Sequence, residues 1–463
     1  MLSCAVEVIN LRHNPVIYNL ITAILVKFRE KYIQISMVII TLVMTILRFL
    51  LNEKGRTNPD SIRYMRFAHG LPEIDNTTTP LGYPAAIEFF TFFGFDEFWS
   101  SKLVGIISFL FIIFFTWKKN FYFKESIVLV ALFGFLSIFS YTMSEALTLP
   151  FVLLLLYSAT LVITEKIVKW QGIFYLTLSL IAIYNIRYSA MFMVVGTGLF
   201  GLLYWKRKFA PSFIISGILG FIFIILYKFL FIDYFNESYV EQFLNIGLHT
   251  TPELLVELFQ GLCTTFNPFI HIANPGGGII NYGIYGIGFL NILLIIFLFV
   301  KKKLSDVESF FIVIGVSGIV CSYFIQYFYS VNAIDYRLMA PFSFPIWLIY
   351  FRKLFEIFGI KIYVIGFLSL MTGLVFTWLS KGNYLENRKE MMNFLQSENL
   401  DKVPLKFYLE SEEDLEKIQI VELISTINPQ IRITFKPKDS LQKTTLTRYK
   451  VLQKIKIDKN KYQ

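Results

Sequence analysis

QISMVIITLVMTILRFLLN, residues 34–52, is a largely apolar run of the length, about 20 residues, that an α-helix needs to cross a bilayer's hydrocarbon core. Runs of the same kind recur near 98–117, 126–143, 146–163, 171–185, 189–205, 211–232, 282–300, 309–329, 338–351 and 361–379. They predict an all-α polytopic membrane protein with about eleven transmembrane helices. The composition leads to the same class. The 463 residues are 55% hydrophobic, 18% aromatic and only 16% charged, with a mean hydropathy of +0.59, more apolar material than one water-soluble core of this length can hide.

A net charge of +10 in a soluble chain would point to nucleic acid. Here the bases sit in short clusters beside apolar runs, so no nucleic-acid partner is expected. With the N-terminus in the cytosol, Lys27/Arg29/Lys31, Lys118/Lys119, Lys166/Lys169, Lys206/Arg207/Lys208, Lys301/Lys302/Lys303 and Arg352/Lys353 all fall on the cytosolic side. The expected location is therefore the plasma (inner) membrane, multi-pass, N-terminus cytosolic and C-terminus extracytoplasmic. No cleavable signal peptide is expected, because the first strongly apolar run is long, starts after residue 30 and lacks a small-residue cleavage pattern. Cys4, Cys263 and Cys321 show no CxxC spacing and support neither a disulfide framework nor a thiolate metal site.

The pattern divides the chain into a cytosolic segment, 1–33, a transmembrane domain, 34–380, and a small α/β extracytoplasmic segment, 381–463. Ile17, Leu20, Ile21, Ile24, Leu25 and Phe28 recur at helical spacing, so residues 15–30 read either as an interfacial amphipathic helix or as a plain cytosolic lead-in. In the C-terminal segment, 406–410 and 431–435 read as short strands around a helical 412–425. Two outer loops, about 53–97 and 233–281, are too long to be turns. They carry semi-apolar helical stretches near 85–93 and 254–262.

Ionisable residues are not scattered over this topology. Asp60, Arg63 and Arg66 lie in the first outer loop; Glu145 joins the third and fourth spans, Arg187 the fifth and sixth, and Asp335 and Arg337 the ninth and tenth. All share the outer end, where acids and bases from separate helices can meet in one cavity, and charge at membrane depth is a default functional candidate. Each also has a plainer reading: Asp60 as the N-cap of a helix over 61–68, Glu145 as a solvated loop carboxylate, Arg187 and Arg337 as snorkelling anchors. His69, His249 and His271 share no ligand spacing, which argues against a histidine metal site. Asn76-Thr77-Thr78 and Asn236-Glu237-Ser238 match the glycosylation sequon, a pattern common by chance.

Five short motifs, in this order, resemble the GT-C superfamily of polyprenyl-phosphate-sugar-dependent glycosyltransferases, which includes protein O-mannosyltransferases and the aminoarabinose transferases of lipid A. They are Pro59-Asp60-Ser61-Ile62-Arg63-Tyr64, Thr79-Pro80-Leu81-Gly82-Tyr83-Pro84, Ser144-Glu145-Ala146-Leu147, Asn185-Ile186-Arg187-Tyr188, and Tyr336-Arg337-Leu338 leading to Pro341 and Pro345. Each is degenerate alone; their order and common side carry the resemblance. It implies a GT-C-like fold and a catalytic acid in the first outer loop, which matches Asp60. Many members have a second acid beside it. This chain has Ser61 there, with Glu73 and Asp75 more distant, so no cofactor is assigned and a divalent metal stays open.

Sugar transfer from a lipid phosphate needs a carboxylate to take the acceptor's hydroxyl proton and cations to stabilise the leaving phosphate. Asp60 is the expected base of an inverting transfer. Arg187 and Arg337 are the expected phosphate clamps, since guanidinium holds phosphate oxygens bidentately. Glu145, Arg63 and Tyr64 complete the expected donor site. The expected partners are a polyprenyl-phosphate-linked sugar, a lipid, glycan or protein acceptor of the cell envelope, and membrane lipids. A secondary transporter predicts repeats and paired broken helices at mid-membrane, and neither is visible. An O-antigen-type polymerase or ligase predicts arginines in 233–281, which has none.

The topology has a direct check. Cysteines at Asn76 and Ser440 should react with an impermeant maleimide in intact cells or spheroplasts; labelling of either only after permeabilisation would reverse the orientation.

Overall fold

The computed structural model describes residues 15–74, 79–236, 251–271, 278–329, 335–411 and 419–454, with side chains from residue 29 onward. The expected Asp75, His249, the Asn76 sequon and most of the Asn236 sequon lie outside the described residues. The helices of the membrane part are α1 (Pro15–Leu51), α2 (Pro59–Gly70), α3 (Gly82–Thr91), α4 (Glu97–Lys119), α5 (Phe123–Ala131), α6 (Phe133–Ser140), α7 (Ser144–Ile163), α8 (Lys169–Ile186), α9 (Met191–Leu203), α10 (Ala210–Tyr227), α11 (Pro252–Thr265), α12 (Ile279–Lys301), α13 (Asp306–Tyr329), α14 (Tyr336–Phe358) and α15 (Tyr363–Leu379). The chain is thus an all-α polytopic membrane protein, with α2, α3 and α11 on the two long connections. The segment 15–30 is helical and continues unbroken into the first span.

By length and apolarity alone, seven continuous helical segments among the described residues can cross a membrane. All eleven expected positions are helical, and three differences explain the lower count. The helix over 169–186 carries too many polar residues, and that over 188–203 is too short, to pass such a test. Tyr336–Leu379 is counted once but passes twice: Gly359, at φ +57°, and a 3-10 turn over Gly359–Ile362 send α15 back, so that Phe355 meets Tyr363 across the turn.

The third difference corrects an expectation. Residues 126–143 are not one straight span, because α5 and α6 meet at a 76° bend. Leu132 is extended there, and a helix broken inside a bundle must find new partners for its freed backbone groups. Ser369 of α15 supplies one. Its hydroxyl accepts from the Phe133 N–H (2.7 Å) and donates to the Pro268 carbonyl (2.8 Å), joining three elements.

Helices α1 and α15 run parallel in constant register: Gln34 with Tyr363 and Arg48 with Thr377 are both 329 residues apart. The bundle therefore has a Glu30 end and an Arg48 end. At the Glu30 end Glu30 meets Lys124 and Tyr363, Arg352 meets Tyr122, Lys353 meets Glu308, and Arg207 meets Asp306. The basic clusters collect here, as the loops predict. α14, buried on nearly all sides, runs from the Arg48 end to the Glu30 end through the centre of the main core, which includes Phe344, Trp347, Leu348 and Phe351.

The C-terminal segment holds α16 (Tyr384–Ser397), β1 (Lys406–Tyr408), α17 (Gln419–Ser425), β2 (Arg432–Thr434), β3 (Thr445–Leu446) and α18 (Arg448–Lys454). Its sheet is parallel, ordered β2-β1-β3. Two of these strands match the predicted ones; β3 is too short to show in a hydropathy pattern. The segment packs on the Arg48 end, sharing a core with Met65 of α2 and Phe98 of α4. Arg66 is committed to this interface, donating to the carbonyls of Pro429 and Ile431, and Arg388 pairs with Asp96 at 2.6 Å.

Replacing Ser369 with alanine leaves the buried Phe133 N–H at the α5–α6 bend and the buried Pro268 carbonyl without this partner, which costs about 1–3 kcal/mol. Thermal unfolding in detergent should show a lower midpoint for Ser369→Ala; an unchanged midpoint would mean that the bend is held by other contacts.

Candidate functional site

The site is built from the first turn of α2 downward. Asn58 caps this helix: its side chain accepts from the Ser61 N–H (2.9 Å), and the Ser61 hydroxyl accepts from the Asn58 N–H (3.1 Å). The capping reading of Asp60 is therefore corrected. Pro59 and Asp60 follow the cap, and Asp60 sits in the first turn, half exposed, 3.9 Å from a half-exposed Arg63. A pair so open to water is weak. Glu73 is exposed beyond the end of α2.

One turn on from Asp60, and so on the same face of α2, Tyr64 is buried. Its hydroxyl shares a hydrogen bond with the Ser144 hydroxyl (3.0 Å), and its ring meets Tyr83 edge to face, centroids 5.0 Å apart. Burial, and then the charge of Glu145, push the Tyr64 phenol up to about 12, so it remains protonated at neutral pH. Ser144 opens α7, and the next residue, Glu145, is 1% exposed, which removes the solvated reading. Its carboxylate faces the Arg187 guanidinium at 2.9 Å. Gly82 seats α3 on the Asn185 carbonyl so closely that a Cβ would lie 2.7 Å from that oxygen. Four of the five sequence motifs thus meet through Tyr64, Gly82 with Tyr83, Ser144 with Glu145, and Asn185 with Arg187.

The fifth motif lies beside them. Asp335 caps α14, accepting from the N–H groups of Arg337 (3.0 Å) and Leu338 (2.9 Å), and holds Arg337 Nε at 2.8 Å. Glu145 is within electrostatic reach of Arg337. Arg337 lies over the Tyr141 ring at 5.6 Å, and Arg56 lies over the same ring at 4.4 Å. Arg48 lies over Phe133 at 4.4 Å. His271 is stacked between Phe133 and Tyr336 and meets the Ser137 hydroxyl at 2.9 Å. Burial, and then the charges of Arg48, Arg56 and Arg337, hold its imidazole well below the usual pKa, so it is neutral at pH 7.

Sequence reasoning passed over Arg48, Arg56 and Lys102, and weighed His271 only as a metal ligand. Arg48 and Lys102 carried a signal, since each is an ionisable residue inside an apolar run. Arg56 carried none, being an ordinary loop residue, and nothing local in the sequence pointed His271 toward the arginines. The buried Lys102 ammonium donates to the Arg56 carbonyl (3.0 Å), the Thr142 hydroxyl (2.9 Å) and the Ser140 carbonyl (3.3 Å). It thereby holds Arg56 in a left-handed backbone conformation, φ +55°, that non-glycine residues seldom adopt. Among the described residues, Arg48 Nε, Arg56 Nε and Arg337 Nη1 are buried without a hydrogen-bond partner. Three guanidinium groups thus present donors to one region whose adjoining acids are Asp335 and, within electrostatic reach of Arg337, Glu145. Such a region can hold an anion. No group of three or more His, Cys, Asp or Glu side chains suited to a metal ion occurs among the described residues.

No family model and no curated protein matches the chain. Among solved structures it is similar to ArnT from Cupriavidus metallidurans in the apo state, at 11% identity and a TM-score of 0.43, over 92% of this chain and 89% of that one. A likeness at that level leaves the chemistry to be read from this chain's own side chains.

Removing one partner of a buried ion pair leaves an uncompensated charge, a loss of about 3–5 kcal/mol. Glu145→Ala and Glu145→Gln should therefore both unfold at clearly lower temperature than the wild type, since neither keeps the negative charge that faces Arg187. Wild-type midpoints in both variants would show that the pair is not structural.

Proposed function

We propose that this protein is a membrane glycosyltransferase of GT-C type that moves a sugar from a polyprenyl-phosphate donor to an acceptor hydroxyl at the Arg48 end of the bundle. The observation that carries this reading is the convergence of Arg48, Arg56 and Arg337, each with a buried unpartnered N–H, at the same end of the bundle as the helix whose first turn exposes Asp60. Departure of a lipid phosphate builds negative charge that such donors stabilise, and a positioned carboxylate supplies the base.

In this mechanism Asp60 takes the proton of the acceptor hydroxyl as its oxygen forms the new bond to the anomeric carbon. The bond from that carbon to the phosphate oxygen breaks on the opposite face, and the configuration inverts. The phosphate leaves as an anion between Arg337, Arg56 and Arg48. Arg187, neutralised by Glu145, is less suited to a phosphate than Arg337, and the Glu145–Arg187 pair with Tyr64 is better suited to sugar hydroxyls. Arg63, exposed beside Asp60, is placed to meet the acceptor or the donor's rim. The apolar helix faces below would hold the polyprenyl chain.

The test separates chemistry from binding. A general base contributes typically 10²–10⁴-fold, so Asp60→Asn should lower turnover by about that factor with donor affinity nearly intact. Arg337→Ala should weaken donor binding, measured with a panel of polyprenyl-phosphate sugars. An active, correctly folded Asp60→Asn protein would remove Asp60 from the chemistry, and wild-type donor affinity in Arg337→Ala would remove the clamp.

A further inference from the structure

At the Glu30 end, away from Asp60 and the arginines around His271, the described residues line a cavity of about 970 Å³. It lies among α1, the end of α4, the start of α5, the end of α7, the start of α13 and α14. Its bases are Lys31, Lys119, Lys124, Lys166 and Arg352, against the acids Glu30 and Glu125. Lys124 is matched by Glu30 at 2.7 Å, and Arg352 lies 3.7 Å from both Glu308 and Glu356. Lys31, Lys119 and Lys166 have no carboxylate within ion-pair distance among the described residues. The cavity is therefore cationic, and of the size that takes a small ligand.

Orientation alone would place lysines at this end; it does not require them to ring a cavity, nor the backbone that shapes it. Asn120 (φ +48°), Tyr122 (φ +49°) and Glu165 (φ +54°) all lie in the left-handed region at or beside its rim. A bulky aromatic residue there is a genuine outlier, and such strain persists only where the surroundings impose it, often at ligand sites. At Tyr122 the surroundings are identifiable. Its ring packs on Phe121 and Phe311, and its hydroxyl accepts from Arg352 (3.0 Å).

Depth narrows the ligand. Trp117 lines the cavity yet is largely exposed, and Trp170 and Trp205, at the ends of helices on the same side, are exposed as well. Tryptophans so placed mark the level of lipid head groups. Basic pockets between membrane helices at that level suit phosphate-bearing head groups. We propose that this cavity binds the phosphate of an anionic membrane lipid in the leaflet opposite the candidate active site, with Lys31, Lys119 and Lys166 supplying the charge.

The test uses the full chain, purified in detergent, and native mass spectrometry with phosphatidylglycerol, phosphatidylcholine and glycerol 3-phosphate as probes. The wild type should retain phosphatidylglycerol over phosphatidylcholine. The double variant Lys119→Glu/Lys166→Glu, at exposed positions that do not carry the fold, should lose that retention about tenfold or more. Lys206→Glu/Lys208→Glu, exposed lysines at the same end outside the cavity, should retain it. Equal loss in both double variants would mean annular attraction only, and no loss in the first would empty the cavity of this role. Binding of glycerol 3-phosphate with no lipid retained would overturn the lipid in favour of a soluble phosphate compound. None of these readouts involves sugar transfer, so failure here leaves the Asp60 end untouched, and the converse holds.

Discussion

Hydrocarbon offers no hydrogen bonds, and every backbone group that enters it must be satisfied by the protein itself. That constraint makes the chain helical through the membrane and drives ionisable side chains to the two ends of the bundle. It also explains the exceptions. The α5–α6 bend survives at Leu132 because the Ser369 hydroxyl takes the Phe133 N–H and gives its own proton to Pro268. Glu145, almost wholly buried, survives because Arg187 stands 2.9 Å away.

Electrostatics at the Arg48 end follows from how its cations are held. Carboxylates neutralise Arg187 and, in part, Arg337, whereas Arg48 and Arg56 rest on the faces of Phe133 and Tyr141. Stacking on an aromatic face fixes a guanidinium plane while leaving its N–H edge and its charge unspent. Lys102 adds rigidity from behind, through the Arg56 carbonyl. The region is thus preorganised for an anion before any ligand arrives, the condition under which fixed donors stabilise developing charge best. The C-terminal segment closes over the same end, tied down by Arg66 and Arg388, so α2, which carries Asp60, is fixed from both sides. The Glu30 end differs in kind: its cations are chiefly lysines at a cavity rim, hydrated point charges suited to a head group.

The residues alone determined the class, the helical positions, the one-sided gathering of Asp60, Tyr64, Glu145, Arg187 and Arg337, and the collection of basic clusters at the other end. These follow from apolar run length and from the avoidance of charge in hydrocarbon, both local properties of the chain. Two predicted strands at 406–410 and 431–435 were legible for the same reason. Only the tertiary structure decided which charges meet. Asp60 yields the cap to Asn58, Arg66 turns to the C-terminal carbonyls, and Arg187 is neutralised while Arg48 and Arg56, neither of them singled out in the sequence, present free N–H groups. The physical reason is range: a span is read within about 20 residues, but whether a guanidinium faces a carboxylate or an aromatic ring depends on partners such as Tyr141 and His271, brought together by packing that no local pattern records.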